Sequence, residues 1–284
     1  MTDFPVDFVA DLRSRTHWPA LEDSLWRSPA LVDLTHGRIF RLVTASLPPA
    51  PARILDVGCG AGALSLEVAR LGHLVDAVDS SQEAIGLARR GTGTAAPGKV
   101  SYHLADVADF PGEPATYDAA VVSRTLHHLP NPAETLRRIR DWLRPGGLLV
   151  CVDFAHDLFD RRAGRWLALT RGLLEAGGLL QVGPRLPEDP ESAVGRVMEE
   201  WAEEHQGEDL NPFEVGAGPL GELFREHRFA WLPYLYWDLL EGLRVSGEQE
   251  RPLGSLLASW EEALIAAAEI PAVLFLFVGL KDRV

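Results

Sequence analysis

The run Ile54-Leu55-Asp56-Val57-Gly58-Cys59-Gly60-Ala61-Gly62 sets strand formers directly before three alternate glycines, a composition that lets backbone approach a ligand closely. Two spacings fit it: GxGxG through Gly58, Gly60 and Gly62, and the dinucleotide pattern GxGxxG/A through Gly58, Gly60 and Ala63. The glycines alone leave the cofactor open. Asp56 discriminates, because dinucleotide sites set a neutral loop and helix N-terminus against a pyrophosphate. At roughly 4 Å and an effective dielectric near 20, one carboxylate is worth about 4 kcal/mol, attractive to an ammonium and repulsive to a phosphate. Asp56 therefore favours a ligand with a cationic group.

Two further acids follow two further strand-like runs. Asp79, with Ser80 after it, closes Val75-Asp76-Ala77-Val78-Asp79 and is suited to accept both hydroxyls of a ribose. Asp76 falls earlier in that run and ranks below it. Asp106 follows Leu104-Ala105, where a carboxylate suits an exocyclic amine and Val107 suits the face of a purine. Each acid alone also reads as a helix cap. Jointly they describe an ammonium, a ribose and an adenine, with no phosphate.

These residues need strands to carry them. Arg53-Val57, Leu74-Val78, Lys99-Leu104, Tyr117-Val122 and Gly147-Asp153 read as strands, separated by helical patterns at Ala63-Gly72, Ser81-Arg90 and Pro132-Leu143. That alternation predicts a doubly wound parallel sheet whose ligand crevice lies beyond the carboxyl ends of the strands. Four regions are expected: a helical N-terminal lid over 1–50, a cofactor-binding core over 51–156, a helical substrate-side insertion over 157–227, and a C-terminal part of the core sheet over 228–284. Phe229-Trp237 and Pro271-Lys281 read as its strands, with helical sequence over Asp238-Ala268.

Asp56-Val57-Gly58-Cys59-Gly60-Ala61-Gly62 resembles motif I of the class I S-adenosylmethionine-dependent methyltransferases. Asp79 matches that family's ribose-binding acid, Asp106 its adenine-side acid and Tyr117-Asp118-Ala119-Ala120-Val121-Val122 its fourth strand. Leu126-His127-His128-Leu129 and Leu143-Arg144-Pro145-Gly146-Gly147 are similar to the following segments in its small-molecule and quinone-type branch. The resemblance implies a Rossmann-like seven-stranded sheet of order 3-2-1-4-5-7-6, with strand 7, at Pro271-Lys281, antiparallel. It implies S-adenosylmethionine as cofactor, S-adenosylhomocysteine as product, and contacts to the methionine portion from Ser123 and Arg124. The backbone of Gly58, Cys59, Gly60 and Gly62 completes the expected cofactor site.

Methyl transfer from a sulfonium is a direct displacement, and alignment alone supplies about 7 to 11 kcal/mol in favourable cases. A hydroxyl, amine or enolisable carbon acceptor gains from a base. His127 and His128 are the candidates, given imidazole's usual pKa near 6.5; a structural role for both imidazoles is the competing reading. Asp153 and His156, after the fifth strand, are the alternative acceptor-side groups. Trp26, Arg27, His36 and Arg38 lie in the lid, and Tyr234 and Tyr236 share one face of the expected strand Trp231-Trp237.

Composition narrows the acceptor. The 284 residues carry a formal charge of -14, which disfavours nucleic acid, since polyanions call for a clustered basic surface. Arg137-Arg138-Ile139-Arg140 is expected on a solvated helix face. Two cysteines, Cys59 and Cys151, make neither a disulfide framework nor a CxxC metal site, so no metal is expected and a reducing cytoplasm fits. The apolar run 272–280 is too short to span a bilayer, and the opening residues have no signal-peptide pattern. A soluble cytoplasmic enzyme methylating O, N or C of a small apolar or aromatic metabolite is expected. Competing readings are a peptide methyltransferase, a nicotinamide-dependent oxidoreductase, which Asp56 and Asp106 oppose, and a non-catalytic S-adenosylmethionine-binding module.

Overall fold

The computed structural model describes residues 25–91, 98–205 and 210–282. Residues 1–24 of the expected lid lie outside them. The chain divides into two compact units: a sheet unit of Ile39–Phe154, Asp209–Ala230 and Phe275–Val284, and a helical unit of Met1–Arg38, Ala155–Glu208 and Trp231–Leu274.

Seven strands form one sheet: β1 (Arg53–Val57), β2 (Leu74–Asp79), β3 (Lys99–Leu104), β4 (Tyr117–Ser123), β5 (Leu143–Phe154), β6 (Arg225–Leu232) and β7 (Leu274–Leu280). Their order is β3-β2-β1-β4-β5-β7-β6, as the resemblance implied. β1 pairs in parallel with β2 and β4, and β2 with β3. β7 runs antiparallel, shown by the reciprocal bonds Gly146 N to Lys281 O and Lys281 N to Gly147 O, both 2.9 Å. Strands covered on both faces read as unbroken apolar runs, and β7, Leu-Phe-Leu-Phe-Val-Gly-Leu, is buried over its first six residues. β3 and β6 are the edges, and Arg225-Glu226-His227-Arg228 of β6 is exposed, the charged composition that blunts an edge against stray pairing.

The crossovers are α3 (Ala63–Arg70), α4 (Gln82–Gly91) and α5 (Pro132–Trp142), preceded by α1 (Pro29–Leu34) and α2 (His36–Ser46). α5 starts where Asn131 accepts from Glu134 N and Pro132 occupies the first turn, and it buries Leu136, Ile139 and Trp142 on one stripe. Its arginines are not simply solvated. Arg138 donates to Ala108 O, and Arg140 Nε donates 2.9 Å to Leu223 O, the last residue of α8 (Phe213–Leu223). A guanidinium there answers carbonyls that the end of a helix leaves open.

The helical unit holds α6 (Arg161–Ala176), α7 (Pro190–Glu204), α9 (Tyr236–Glu241) and α10 (Gly247–Ala266). Asp160 and Asp189 cap α6 and α7 by accepting backbone N–H groups of the first turn. Arg171 of α6 is buried and donates to four acceptors: Glu175 Oε1 and Glu200 Oε2 at 2.8 Å, Val182 O at 2.6 Å and Pro184 O at 2.7 Å. α8, inside the stretch expected as an insertion, belongs to the sheet unit; α9 and α10, expected with the core sheet, belong to the helical unit.

One expected strand, Phe229-Trp237, is there only in its first half. β6 ends at Leu232, and Tyr236 opens a helix instead of continuing it. The cause is Glu261 of α10, fully buried, whose carboxylate accepts from the amides of Tyr234 (2.8 Å), Leu235 (3.0 Å) and Tyr236 (2.8 Å) and so nucleates α9. No helix among the described residues is long and apolar enough to cross a membrane.

Candidate functional site

β1 delivers its acid to the interior. Asp56 is 3% exposed, and Ser65 of α3 donates to its Oδ2 at 2.5 Å. Burial, with Asp79 adding to it against the Ser65 bond, pushes the Asp56 carboxyl up to about 6. Beyond it the loop turns through three left-handed glycines, with φ of 71° at Gly58, 53° at Gly60 and 80° at Gly62. A Cβ on Gly58 would overlap the Thr125 side chain, and one on Gly62 would overlap the Tyr102 hydroxyl, whereas Gly60 faces open space. Cys59 is half-buried, and burial raises its thiol far from thiolate chemistry, so it serves the loop by size.

Asp79 fixes the loop from the neighbouring strand: Oδ2 accepts from Gly60 N and Oδ1 from Ser81 N, both 2.8 Å. Each oxygen keeps a second lone pair. Asp76 is engaged elsewhere, with Arg53 (2.9 Å), His103 (3.3 Å) and Tyr117 (3.1 Å). Asp106 is exposed and accepts from Ala108 N at 2.8 Å, with Val107 buried beside it and Ser80 exposed at the end of β2. Ser123 ends β4, and Arg124 stands in the left-handed region at φ 54° with its amide donating 2.7 Å to Val152 O.

The histidine pair follows in a one-turn helix, Leu126–His128. Asp153, 1% exposed at the end of β5, lies beneath that turn and accepts from the amides of Thr125 (3.2 Å), Leu126, His127 (3.3 Å) and Phe154 (2.7 Å). Its Oδ1 also accepts a hydrogen bond from His127 Nδ1. With Nδ1 protonated toward a carboxylate, His127 Nε2 presents its lone pair, and Nε2 makes no hydrogen bond among the described residues. Asp153 thus holds the turn and the imidazole, rather than standing at the acceptor as expected. His128 is exposed, its ring 4.0 Å from that of His127.

Asn211 pins this turn from above α8. Its backbone N donates 2.8 Å to His127 O, and its Nδ2 donates 2.7 Å to Leu129 O. Ser65, Tyr102, Thr125 and Asn211 were not singled out in the sequence; a serine between Leu64 and Leu66 on a buried helix face was a legible signal, and Asn211 carried none.

The other acceptor-side candidates lie in the helical unit. Trp26 stacks on His36 with centroids 4.6 Å apart, and His36 meets Trp237 edge-on at 4.9 Å. Arg27 donates to Glu241 O (2.7 Å) and Leu240 O (2.8 Å), and Arg38 pairs with Glu262 at 3.0 Å. His156 lies parallel to His205 at 5.4 Å, with its carbonyl accepting from Trp201. Tyr236 is fully buried with its hydroxyl on Leu34 O at 2.5 Å, and Tyr234 packs on Trp237 at 5.0 Å. Tyr234 and Tyr236 do not form one face of a strand.

The loop fits a nucleoside bearing a cationic arm. Asp56 stands buried with an acid as its charged neighbour, and the Tyr102 hydroxyl is sealed beside Gly62 with no partner among the described residues. Among the described residues Asp56 has Ser65 as its hydrogen-bond partner but no cation beside it, and the Tyr102 hydroxyl has none.

The profile of the methyltransferase-domain family matches residues 34–186, more than half of the chain. The chain belongs to that family. By family it is a class I methyltransferase. The ubiquinone biosynthesis O-methyltransferase of Xanthomonas axonopodis pv. citri is 41% identical to this methyltransferase over 108 residues, 38% of this chain and 45% of that one. The Xanthomonas campestris pv. campestris enzyme of the same name is 39% identical over 99 residues, 34% of this chain and 41% of its own. The chain thus spans less than half the length of these curated relatives. Geranyl diphosphate C-methyltransferase from Streptomyces coelicolor superposes with a TM-score of 0.55 at 15% identity, over 87% of this chain and 76% of that one. The cyclase SpnF gives 0.52 at 19%, over 87% and 82%. Both show the fold the methyltransferase shares, one that carries more than one chemistry.

Proposed function

We propose that the methyltransferase acts on a hydroxyl oxygen of a small apolar or aromatic metabolite, with His127 accepting the hydroxyl proton. The observation that carries this is the Asp153-held imidazole, whose Nδ1 is committed and whose Nε2 is not. The O-methyltransferase name of the 41% identical relative supports oxygen as acceptor atom.

Bound S-adenosylmethionine supplies an electrophilic methyl on sulfur. Asp79 accepts from the ribose hydroxyls while keeping the Gly60 amide in place. Asp106 and Val107, with Ser80 nearby, receive the adenine, and Gly58, Cys59, Gly60 and Gly62 give it backbone within reach. Asp56, Ser123 and Arg124 serve the methionine portion, Asp56 through its charge from below the loop. His127 Nε2 takes the acceptor's proton, and the Asp153 carboxylate steadies the imidazolium that results. His128 shapes the acceptor side of the same turn.

Incubation with methyl-labelled S-adenosylmethionine and a panel of phenols and alkyl alcohols tests the reading. Labelled ethers are expected, with His127→Gln losing turnover but retaining S-adenosylhomocysteine affinity. Label only on nitrogen, carbon or peptide refutes the acceptor, and wild-type turnover by His127→Gln refutes the base.

A further inference from the structure

In the helical unit α6 and α10 lie side by side and antiparallel. Arg162, at the start of α6, donates 3.2 Å to Ala268 O, just past the end of α10, and one turn further on Trp166 meets Trp260 edge-on with centroids 5.8 Å apart. Following the two helices in opposite senses from there brings Leu169 and Leu173 level with Leu256 and Leu253. The outer side of this seam is apolar and open. Leu169, Leu173, Leu256 and Trp260 are 49%, 69%, 64% and 43% exposed.

The same surface is uncharged. Pro252 to Trp260 contains no charged residue, in a chain of which 24% is charged. Between Trp166 and Ala176 the two charges of α6, Arg171 and Glu175, are turned inward and bonded to each other at 2.8 Å. On the flank of α6 turned away from α10, the helix borders an open groove of about 330 Å³. Ala168, Gly172 and Ala176 floor it, Leu186, Pro187 and Ala193 wall it, and Arg185 and Glu188 stand exposed at its rim with opposite charges. A Cβ on Gly172 would meet no atom within 4 Å, so the floor is accessible. Leu169 and Leu173 thus separate a groove from a ridge made of Leu256 and Trp260.

We propose that this face is a contact between two copies of the chain, related by a two-fold axis running along α6. Leu169 and Leu173 meet their counterparts at the axis, and Leu256 and Trp260 of each copy enter the groove of the other. A ridge and a groove on opposite sides of one line are brought together twice by that single rotation, as an isologous contact requires. An aromatic and an aliphatic anchor seated in pockets is the arrangement that carries binding energy. Charge selects the occupant. At a formal -14 each, two copies repel over most of their surface, so they can meet where charge is absent, and depletion of charge marks the core of a contact. Two helices and the groove over three turns present roughly 400 Å², the size at which exposed apolar patches mark an interaction site. That suits the core of a contact burying about 800 Å² per partner.

Sedimentation equilibrium of the full chain over micromolar to millimolar concentrations tests the contact without reading methyl transfer. A reversible monomer–dimer equilibrium is expected, weakened about tenfold or more by Leu173→Glu, by Leu256→Glu, and by Gly172→Phe, which fills the groove without altering the ridge. Leu71→Glu, at a leucine 48% exposed in the sheet unit, carries the same charge change and should leave the equilibrium as it is. Under mild oxidation Leu173→Cys should give a disulfide-linked dimer, and Leu71→Cys none. Circular dichroism checks that each variant is folded; should one fail, Trp260→Ala is expected to weaken the dimer in its place. A single-chain mass at every concentration overturns the proposal, as does a dimer indifferent to Leu173→Glu, Leu256→Glu and Gly172→Phe. A monomer that binds phospholipid vesicles and loses them in Leu256→Glu assigns the face to a lipid surface and overturns it too.

Discussion

Thr125 occupies the volume that a side chain on Gly58 would need: a Cβ built there overlaps Thr125 Oγ1 and Cγ2 and lies 2.8 Å from its Cβ. The end of β4 thereby dictates glycine at the end of β1. Gly58→Ala is expected to cost about 1 to 2 kcal/mol for the left-handed backbone and a further 1 to 3 kcal/mol for overpacking. Gly58→Ala with Thr125→Gly should recover the second part only. Denaturant midpoints of the four proteins check this; full recovery in the double variant would refute the backbone share.

Asp153 separates positioning from chemistry. Asp153→Asn puts an amide where five N–H groups converge, and about 1 to 3 kcal/mol of stability should go with it. The same change frees the imidazole tautomer, so kcat should fall by about 10²- to 10⁴-fold while S-adenosylhomocysteine affinity holds within a few fold. Stopped turnover assays beside calorimetry read the two effects apart.

Asn211 ties a segment 84 residues away to the histidine turn. Asn211→Ala leaves Leu129 O without its side-chain donor, at about 1 kcal/mol, and loosens the placement of His127. Turnover should drop about tenfold or more, with little change in cofactor affinity. An unchanged kcat would show that the backbone bond from Asn211 N suffices.

Two buried acids give the stability a pH signature. The Asp56 carboxyl, raised from 3.8 to about 6, contributes stability that is full below about pH 3.8 and lost as pH rises through 6, about 3 kcal/mol in all. Glu261, raised to about 7 mainly by burial, does the same between about 4.5 and 7. Asp56→Asn and Glu261→Gln should each flatten the wild-type decline across its own window. Because an ammonium prefers the carboxylate, S-adenosylhomocysteine affinity should rise through pH 6 in the wild type and not in Asp56→Asn.

What could be read beforehand follows from the range of the signals. Strand runs, helix caps and the glycine loop are local patterns, so β1 to β5 and the acids at their ends were legible, and the resemblance supplied the β7 position. Trp231–Trp237 failed because its helix is decided by Glu261, 25 residues from Tyr236, a carboxylate no window over the run includes. The Asp153–His127 pair was visible as two candidates but not as a pair, since only the parallel β4–β5 register brings Val152 beside Ser123 and the turn after it over Asp153. Asn211 sits in irregular sequence before α8, and its role is set by a turn elsewhere in the chain.

Arg171 has a dynamic consequence. One guanidinium joins the middle of α6, the face of α7 through Glu200, and the carbonyls of Val182 and Pro184 in the connection between them. These three pieces cannot open one at a time without stranding a buried charge, so they should exchange their amide hydrogens with a shared opening free energy, as one cooperative block. The proline-rich connection, exposed along much of its length, should resist proteases as long as that block stays closed.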